Sequence, residues 1–347
     1  MPEPLSPQTW KRLALVLASF VVLLIAAEAI VRLVGFDWRL VDKNLYHENA
    51  DLNNYVADPD PDLMFRVKPN SQAKYCGLYG CFEVNINSLG ARNPERARAK
   101  PAGVFRIVCL GGSDVYGFAV NDDETWPAQL EQRLHELGAN RCEVWNYGAV
   151  SYIGIQMAVL GREVVAEIEP DLVLLAPSNL APIAFLQNAP IASYFARRPD
   201  FWARLLSGES AGPLRAGELW LLGHFAVYRL ARLAAAEHWR TDNRPFWVWS
   251  ENRFRQESSR YLRDFLADMR RRVPVCVIVG PFLQQLFGDP RKPIEGVNTF
   301  AGATAPTLVL DAAGLGEEYR QIHPPPKVLA WYGDQIARWL LENKFIH

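Results

Sequence analysis

Five short apolar runs, spaced by segments of helical periodicity or by one long insertion, constrain this chain more than any other feature. They are FRIVCL (105–110), CEVWNYG (142–148), DLVLLA (171–176), PVCVIVG (274–280) and TLVLD (307–311). Their apolar residues are near-continuous rather than alternating, so each reads as a strand covered on both faces. Between the first two, Thr125–Leu137 places Trp126, Leu130 and Leu134 on one helical face. Ile153–Ile168 is a second amphipathic helix, and a terminal helix covers roughly Pro326–Asn343. Strands alternating with helices predict βαβ units and a largely parallel sheet with helices on both sides.

The N-terminus is of a different kind. After Trp10-Lys11-Arg12 comes the uncharged run Leu13–Ala27, and apolar character continues to Phe36, interrupted by Glu28 and Arg32. The longer count suffices for a tilted span, since crossing a bilayer takes about 20 residues. Glu28 and Arg32 are four apart, in the favourable acid-before-base order for a helical pair. A cleaved signal peptide is the second reading, with Ala27-Glu28-Ala29 as its site; a buried core helix is the third. The first is preferred here: residues 1–36 are expected to be an uncleaved membrane anchor. Lys11 and Arg12 on the short side favour a cytoplasmic N-terminus, which puts the main domain outside the cytoplasm, on the periplasmic or outer face.

Residues 37–104 are rich in Asn, Asp and Pro, and are expected to be a loop-dominated lead-in packing on the main domain, with a short strand at Cys81–Ile86. Within it, Cys76 and Cys81 (CGLYGC) are a candidate disulfide in an oxidising compartment, free thiols being the alternative. Cys109, Cys142 and Cys276 lie in the strand-like runs and read as small core residues. The main domain, 105–347, carries an insertion at about 181–250. It holds Trp202, Trp220, Trp239, Trp247 and Trp249 and one long helix candidate, Leu214–Trp239. Packing over the sheet, a lid, a protein-partner surface and a membrane-surface contact are all open for it.

Charge removes one class of function. With 37 Lys+Arg against 38 Asp+Glu, the net charge of −1 argues against nucleic-acid binding through overall positive charge. No P-loop, no GxGxxG after a strand and no His-Glu-x-x-His is present, and no metal or organic cofactor is expected. The acidic NDDET (121–125) falls at a helix start, where acids and a capping residue belong.

Chemistry concentrates at VCLGGSDVYGFAVNDDETWPAQLEQRL (108–134). A strand ends at Leu110, two glycines turn, and Ser113 follows where a helix can begin. That places a hydroxyl at the carboxyl end of a parallel strand, the usual site position in an open α/β sheet.

With its flanks, LGGSDVYGFAVNDDETWPAQLE resembles the first block of the SGNH/GDSL hydrolase superfamily. The lead-in at 85–113 is similar to that of membrane-anchored members whose N-terminal helix ends in a Glu-x-x-x-Arg pair. The resemblance implies a flavodoxin-like three-layer α/β/α fold with a mostly parallel five-stranded sheet and Ser113 as nucleophile. The later blocks depart from the pattern. NYGAVSYIGIQ (146–156) keeps Asn-x-Gly, but Ser151 stands where a glycine would supply an oxyanion N–H. LLAPSNLAP keeps only Asn179, whose amide is the other expected oxyanion donor besides the N–H groups of Ser113 and Ser151. RQIHPPP (320–326) gives His323 as base, with Arg320 in the position of the acid. Glu317, Glu318 or Asp311 are candidate substitutes; a Ser–His dyad oriented by a backbone carbonyl is the other way out.

The resemblance thus implies a membrane-anchored ester hydrolase or acyltransferase acting on acyl esters, for example O-acetyl groups of an envelope glycan or a lipid ester. The reading of a different class is a catalytically impaired accessory or binding subunit of a membrane-associated complex, with the Trp-rich insertion as its protein contact.

Overall fold

The computed structural model describes residues 6–34, 54–60, 62–77, 80–177, 213–238, 246–281, 305–321 and 323–346. At its centre is a five-stranded sheet of β5 (Phe105–Gly111), β6 (Cys142–Asn146), β7 (Leu172–Ala176), β8 (Val275–Val279) and β9 (Thr307–Val309). The strand order is β6-β5-β7-β8-β9 and every pairing is parallel. Order reverses at β5, which has β6 on one side and β7 on the other. Open doubly wound sheets bind ligands at such a switch point, outside the carboxyl ends of the strands.

The apolar runs of β5 to β8 are continuous because both faces are covered; β9, at the sheet edge, departs from that expectation, with Thr307 and Val309 exposed. Ile107, Cys109, Val144, Leu172, Leu174, Cys276 and Ile278 face one helical layer, formed by α3 (Trp126–Glu136) and α8 (Pro326–Glu342). Val108, Leu110, Trp145, Val173, Leu175, Val277 and Val279 face the other, which contains α4 (Gly154–Ile168) and α7 (Phe246–Met269). Successive strand residues point to opposite faces, so each strand serves both layers. Gly333 of α8 lies so close to α3 that a Cβ would come within 2.8 Å of Gln129 and Leu130 backbone. The three cysteines of the sheet are buried and free, as small core residues.

Residues 54–100 are more structured than their composition suggests. β1 (Tyr55–Ala57) pairs antiparallel with β2 (Phe65–Val67), and β3 (Ser71–Gly77) with β4 (Gly80–Ile86). Cys76 and Cys81 face each other across the second hairpin and form a disulfide. Tyr55, Phe65, Tyr75, Phe82 and Val84 join the same core as β5 and α4.

The apolar N-terminal segment is one helix, α1 (Pro7–Val34), long and apolar enough to cross a bilayer. Val31 is its one buried residue. The helix candidate Leu214–Trp239 is in fact two helices, α5 (Pro213–His224) and α6 (Ala226–His238), broken at Phe225. The break is stabilised from outside: Glu28 of α1 accepts hydrogen bonds from the N–H groups of Ala226 and Val227, 2.8 and 2.9 Å away. Those N–H groups open α6 and have no intrahelical acceptor, so a carboxylate there favours a fresh helix start. Insertion residues 181–212 and 239–245, with Trp202 and Trp239, lie outside the described residues.

Candidate active site

At the carboxyl end of β5 the chain makes its turn through Gly111-Gly112 and enters the single-turn helix α2 (Ser113–Tyr116). A Cβ on Gly111 would lie 2.1 Å from Val115 Cγ2 and 2.8 Å from the Ala176 carbonyl, so only glycine lets the turn tuck between α2 and β7. The following chain is equally constrained. Gly117 ends α2 with φ 81°, a left-handed geometry that other residues adopt only at a cost. Ser113 is thereby fixed at the sheet switch point, 8% exposed.

His323 arrives from the other end of the sequence. Its Nε2 lies 3.1 Å from Ser113 Oγ. Pro324-Pro325-Pro326 follow, and Pro326 opens α8, so three restricted residues aim the loop into the site. Phe118 covers the imidazole, with ring centroids 4.6 Å apart, and itself meets Phe82 and Tyr75. Burial in this aromatic setting lowers the His323 pKa to about 4, since the charged imidazolium loses its hydration. The ring is therefore neutral at physiological pH, the form able to accept a proton at Nε2. That role requires the resident hydrogen on Nδ1. Nδ1 is buried and has no hydrogen-bond partner among the described residues.

Arg320 is exposed at the end of the 3-10 turn Glu317–Arg320, and burial alone lowers the His323 pKa. The three alternative carboxylates are also occupied or exposed. Asp311 accepts from the Ala313 N–H at 2.9 Å, Glu318 pairs with Lys327 Nζ at 2.7 Å, and Glu317 is exposed. Among the described residues Ser113 and His323 thus form a pair, the imidazole packed against Phe118 with no carboxylate on Nδ1. Asp114, next to the serine, is partly buried and its pKa rises to about 6 through desolvation, opposed by the N–H groups of Val115, Asp114 and Gly112.

The loop after β6 sits against α2. Gly148 is required there, because a Cβ would lie 2.2 Å from the Tyr116 nitrogen. Ala149 N–H bonds the Gly111 carbonyl at 3.1 Å, tying the loop to the turn that carries Ser113. Ser151 follows with φ 65°, so the loop keeps the left-handed backbone that a glycine would adopt freely. Its N–H has no acceptor among the described residues. Asn179 lies outside the described residues.

Sequence reasoning missed how the lead-in braces this loop and turn. Tyr55 Oη accepts from the Val150 N–H at 2.8 Å, and Tyr152 Oη donates to the Phe65 carbonyl at 2.7 Å, on either side of Ser151. Asn54 Nδ2 donates to Tyr116 Oη at 2.8 Å. Arg92, 2% exposed, is the central brace. Its guanidinium donates to the carbonyls of Tyr116, Gly117, Val120 and Glu83, and to Asp122 Oδ1 at 2.7 Å. Every donor of the fork is used, so the turn following Ser113 hangs on one side chain from the lead-in. The only sequence signal was GARNP, an arginine in a polar stretch, which spacing cannot connect to residues 24 or more positions away. The acidic NDDET stretch is structural as expected: Glu124 bonds the Asn121 N–H, Thr125 caps α3, and Asp122 takes Arg92.

Among the described residues no cluster of His, Cys, Asp or Glu is suited to a metal ion. No protein-family model and no curated protein matches the chain. Among solved structures, the chain is similar to one named as a lipolytic protein of the G-D-S-L family from Desulfitobacterium hafniense DCB-2, at 12% sequence identity and a TM-score of 0.35, over 67% of this chain and 98% of that one.

Proposed function

We propose that the protein is a membrane-tethered serine hydrolase or acyltransferase of SGNH/GDSL type, acting outside the cytoplasm on acyl esters. The observation that carries this reading is the 3.1 Å approach of His323 Nε2 to Ser113 Oγ at the switch point of a doubly wound sheet. In the reaction, His323 takes the hydroxyl proton as Ser113 Oγ attacks the ester carbonyl. The Ser113 and Ser151 N–H groups stabilise the oxyanion, joined by the Asn179 amide. Collapse of the tetrahedral intermediate breaks the ester C–O bond, and His323 gives its proton to the departing alkoxide. Water, or an acceptor hydroxyl in a transferase, then attacks the acyl-serine with the same histidine as base. The substrate class is an O-acyl ester on an envelope glycan or a lipid.

The tether rests on α1 and on Lys11 and Arg12 in its first turns. Extracytoplasmic placement is supported by the Cys76–Cys81 disulfide, which suits an oxidising compartment.

One observation favours a second reading, a binding subunit with an impaired site. His323 Nδ1 has no acceptor among the described residues, so none of the described carboxylates stabilises the imidazolium that forms as serine loses its proton. A fluorophosphonate probe on purified protein separates the two. Labelling that disappears in Ser113→Ala, with turnover of short acyl esters, is the expected result. No Ser113-dependent labelling and no ester turnover leaves the binding reading.

A further inference from the structure

A clamp joins the anchor helix to the insertion. Arg32 Nε donates to Glu28 Oε1 at 2.6 Å, and the same carboxylate takes the Ala226 and Val227 N–H groups. Arg32 Nη2 also donates to the His224 carbonyl, the last of α5. The pair therefore caps both sides of the α5–α6 break: the acid meets the N–H groups that open α6, and the base meets a carbonyl that closes α5. Each polar group is answered by the helix end of opposite dipole.

The hairpin so held is itself firmly built. Arg232 Nε of α6 bonds Glu218 of α5 at 2.8 Å, and Arg229 donates to the Leu222 carbonyl at 2.7 Å. Leu222 and Ala226 are fully buried, and Leu222 belongs to the core on the α4–α7 face of the sheet. The rigid sequence is thus anchor, clamp, hairpin, core.

Length fixes where this joint lies. From Leu13 to Val31 a helix rises about 29 Å at 1.5 Å per residue, close to the roughly 30 Å of bilayer hydrocarbon. Arg32 then falls at the far boundary, and the α5–α6 break with it. Glu28 lies one turn deeper, where an unanswered carboxylate is costly, and it has three donors. Trp220 and Phe225 flank the break on the surface, 54% and 41% exposed and in edge contact with each other at 5.5 Å. Near the end of α1, Ile30 and Leu33 are exposed and apolar as well. Large aromatics exposed at the level where a span ends are what the water–lipid boundary selects.

We infer that the α5–α6 hairpin is a second membrane contact, seated in the outer water–lipid interface through Trp220 and Phe225 and fixed there by the Glu28–Arg32 clamp. The inference rests on α1 spanning the bilayer and is independent of the Ser113 chemistry. It makes the anchor a rigid mount rather than a loose tether, setting the height and tilt of the main domain over the bilayer.

The test uses full-length protein in phosphatidylcholine–phosphatidylglycerol vesicles. An environment-sensitive fluorophore is attached at Trp220→Cys, at Phe225→Cys and, for reference, at Leu137→Cys on the opposite sheet face. Lipids with nitroxides near the headgroup are expected to quench positions 220 and 225 several-fold more than 137. Glu28→Ala is expected to reduce quenching at 220 while the protein stays in the pellet after alkaline carbonate. Equal quenching at all three positions overturns the inference, with the anchor intact if carbonate leaves the protein in the pellet. Release by carbonate overturns the anchor itself, and the hairpin inference with it. A label shielded at 220 that lipid quenchers do not reach assigns the face to a protein partner, which also overturns it. Unchanged quenching in Glu28→Ala overturns the clamp.

Discussion

His323 Nε2 stands 3.1 Å from Ser113 Oγ across 210 residues of sequence, while its Nδ1 is buried with no partner among the described residues. The two halves of this ring make different demands. The Nε2 side is arranged for proton transfer. On the other side, packing against Phe118 and three consecutive prolines hold the orientation that a carboxylate would otherwise impose. Packing can fix a ring, but it cannot stabilise positive charge on it.

Removing the base measures how much the dyad contributes. A positioned general base is worth about 10²–10⁴-fold. His323→Ala is expected to lower kcat/KM for short acyl esters by that range, and to slow fluorophosphonate labelling of Ser113 in parallel. Arg320→Ala is expected to change either rate little, because Arg320 is exposed and burial alone sets the His323 pKa. A large response to Arg320→Ala, read in the same assays, would contradict the geometry.

The pH profile follows from burial. Catalysis needs neutral His323, and its pKa is lowered to about 4, so the base stays unprotonated well below its ordinary range. Activity limited by this group falls as pH drops through about 4, whereas an exposed histidine would lose half its activity near pH 6.5. Asp114, raised to about 6, adds a second inflection if its charge bears on the serine. Asp114→Asn is then expected to remove that inflection and leave the acid limb near 4. A limb near 6.5 in both proteins, measured as kcat/KM on a short ester, would show that the ring is solvated.

The sheet was legible because four of its strands, β5 to β8, are buried on both faces and so write continuous apolar runs, while the edge strand β9 keeps an apolar run although it is largely exposed. Ser113 was legible as a hydroxyl on a turn at the carboxyl end of a strand, and its role, like the choice of His323, only through the resemblance of LGGSDVYGFAVNDDETWPAQLE and RQIHPPP to the SGNH/GDSL blocks. The braces were not. Asn54 and Tyr55 act on residues 62 and 95 positions away, and Arg92 on Asp122, 30 positions away, and on backbone carbonyls that carry no side-chain signature. The break at Phe225 was invisible for a related reason: α5 and α6 have helical sequence straight through it, and only Glu28, 198 residues distant, supplies the cap. Helix α7 was missed because its early turns, FWVWSENRFRQ, mix aromatics and charge without a clean stripe.

Ser151 carries a backbone cost that can be relieved. At φ 65° a non-glycine residue loses about 1–2 kcal/mol relative to its preferred regions; a glycine avoids this, but its freer unfolded chain offsets part of the gain. Ser151→Gly is expected to stabilise the fold by up to about 1 kcal/mol and to keep activity, because the N–H is unchanged. Ser151→Val is expected to destabilise it. Thermal unfolding of both variants, with ester turnover alongside, decides the matter.

Arg92 makes the strongest stability prediction. Its side chain is fully buried, and its removal strands four carbonyls and leaves Asp122 without its cation. Breaking a buried pair in this way costs about 3–5 kcal/mol. Arg92→Leu is expected to fall in that range by urea denaturation, with Arg92→Lys between it and the parent. Because the severed bonds run to Tyr116, Gly117 and Val120, labelling of Ser113 is expected to slow even at temperatures where Arg92→Leu is still folded.

The compartment can be read from thiols. Of the 5 cysteines, Cys76 and Cys81 are disulfide-bonded, and Cys109, Cys142 and Cys276 are buried and free. Burial pushes the Cys276 thiol up to about 12 and Cys142 to about 11, so neither forms a reactive thiolate while the fold is intact. Native protein extracted under alkylating conditions is therefore expected to titrate no fast thiol. After denaturation without reductant it should titrate the three sheet cysteines, and after reduction all 5. Five thiols before reduction would mean that the β3–β4 hairpin is reduced in the cell, and would remove the disulfide as support for an extracytoplasmic domain. Cys76→Ser with Cys81→Ser is the companion measurement: the loop between them is short, so cross-linking it constrains the unfolded chain only modestly. The fold should survive the double substitution, and the thiol count then reports the compartment rather than the stability of the hairpin.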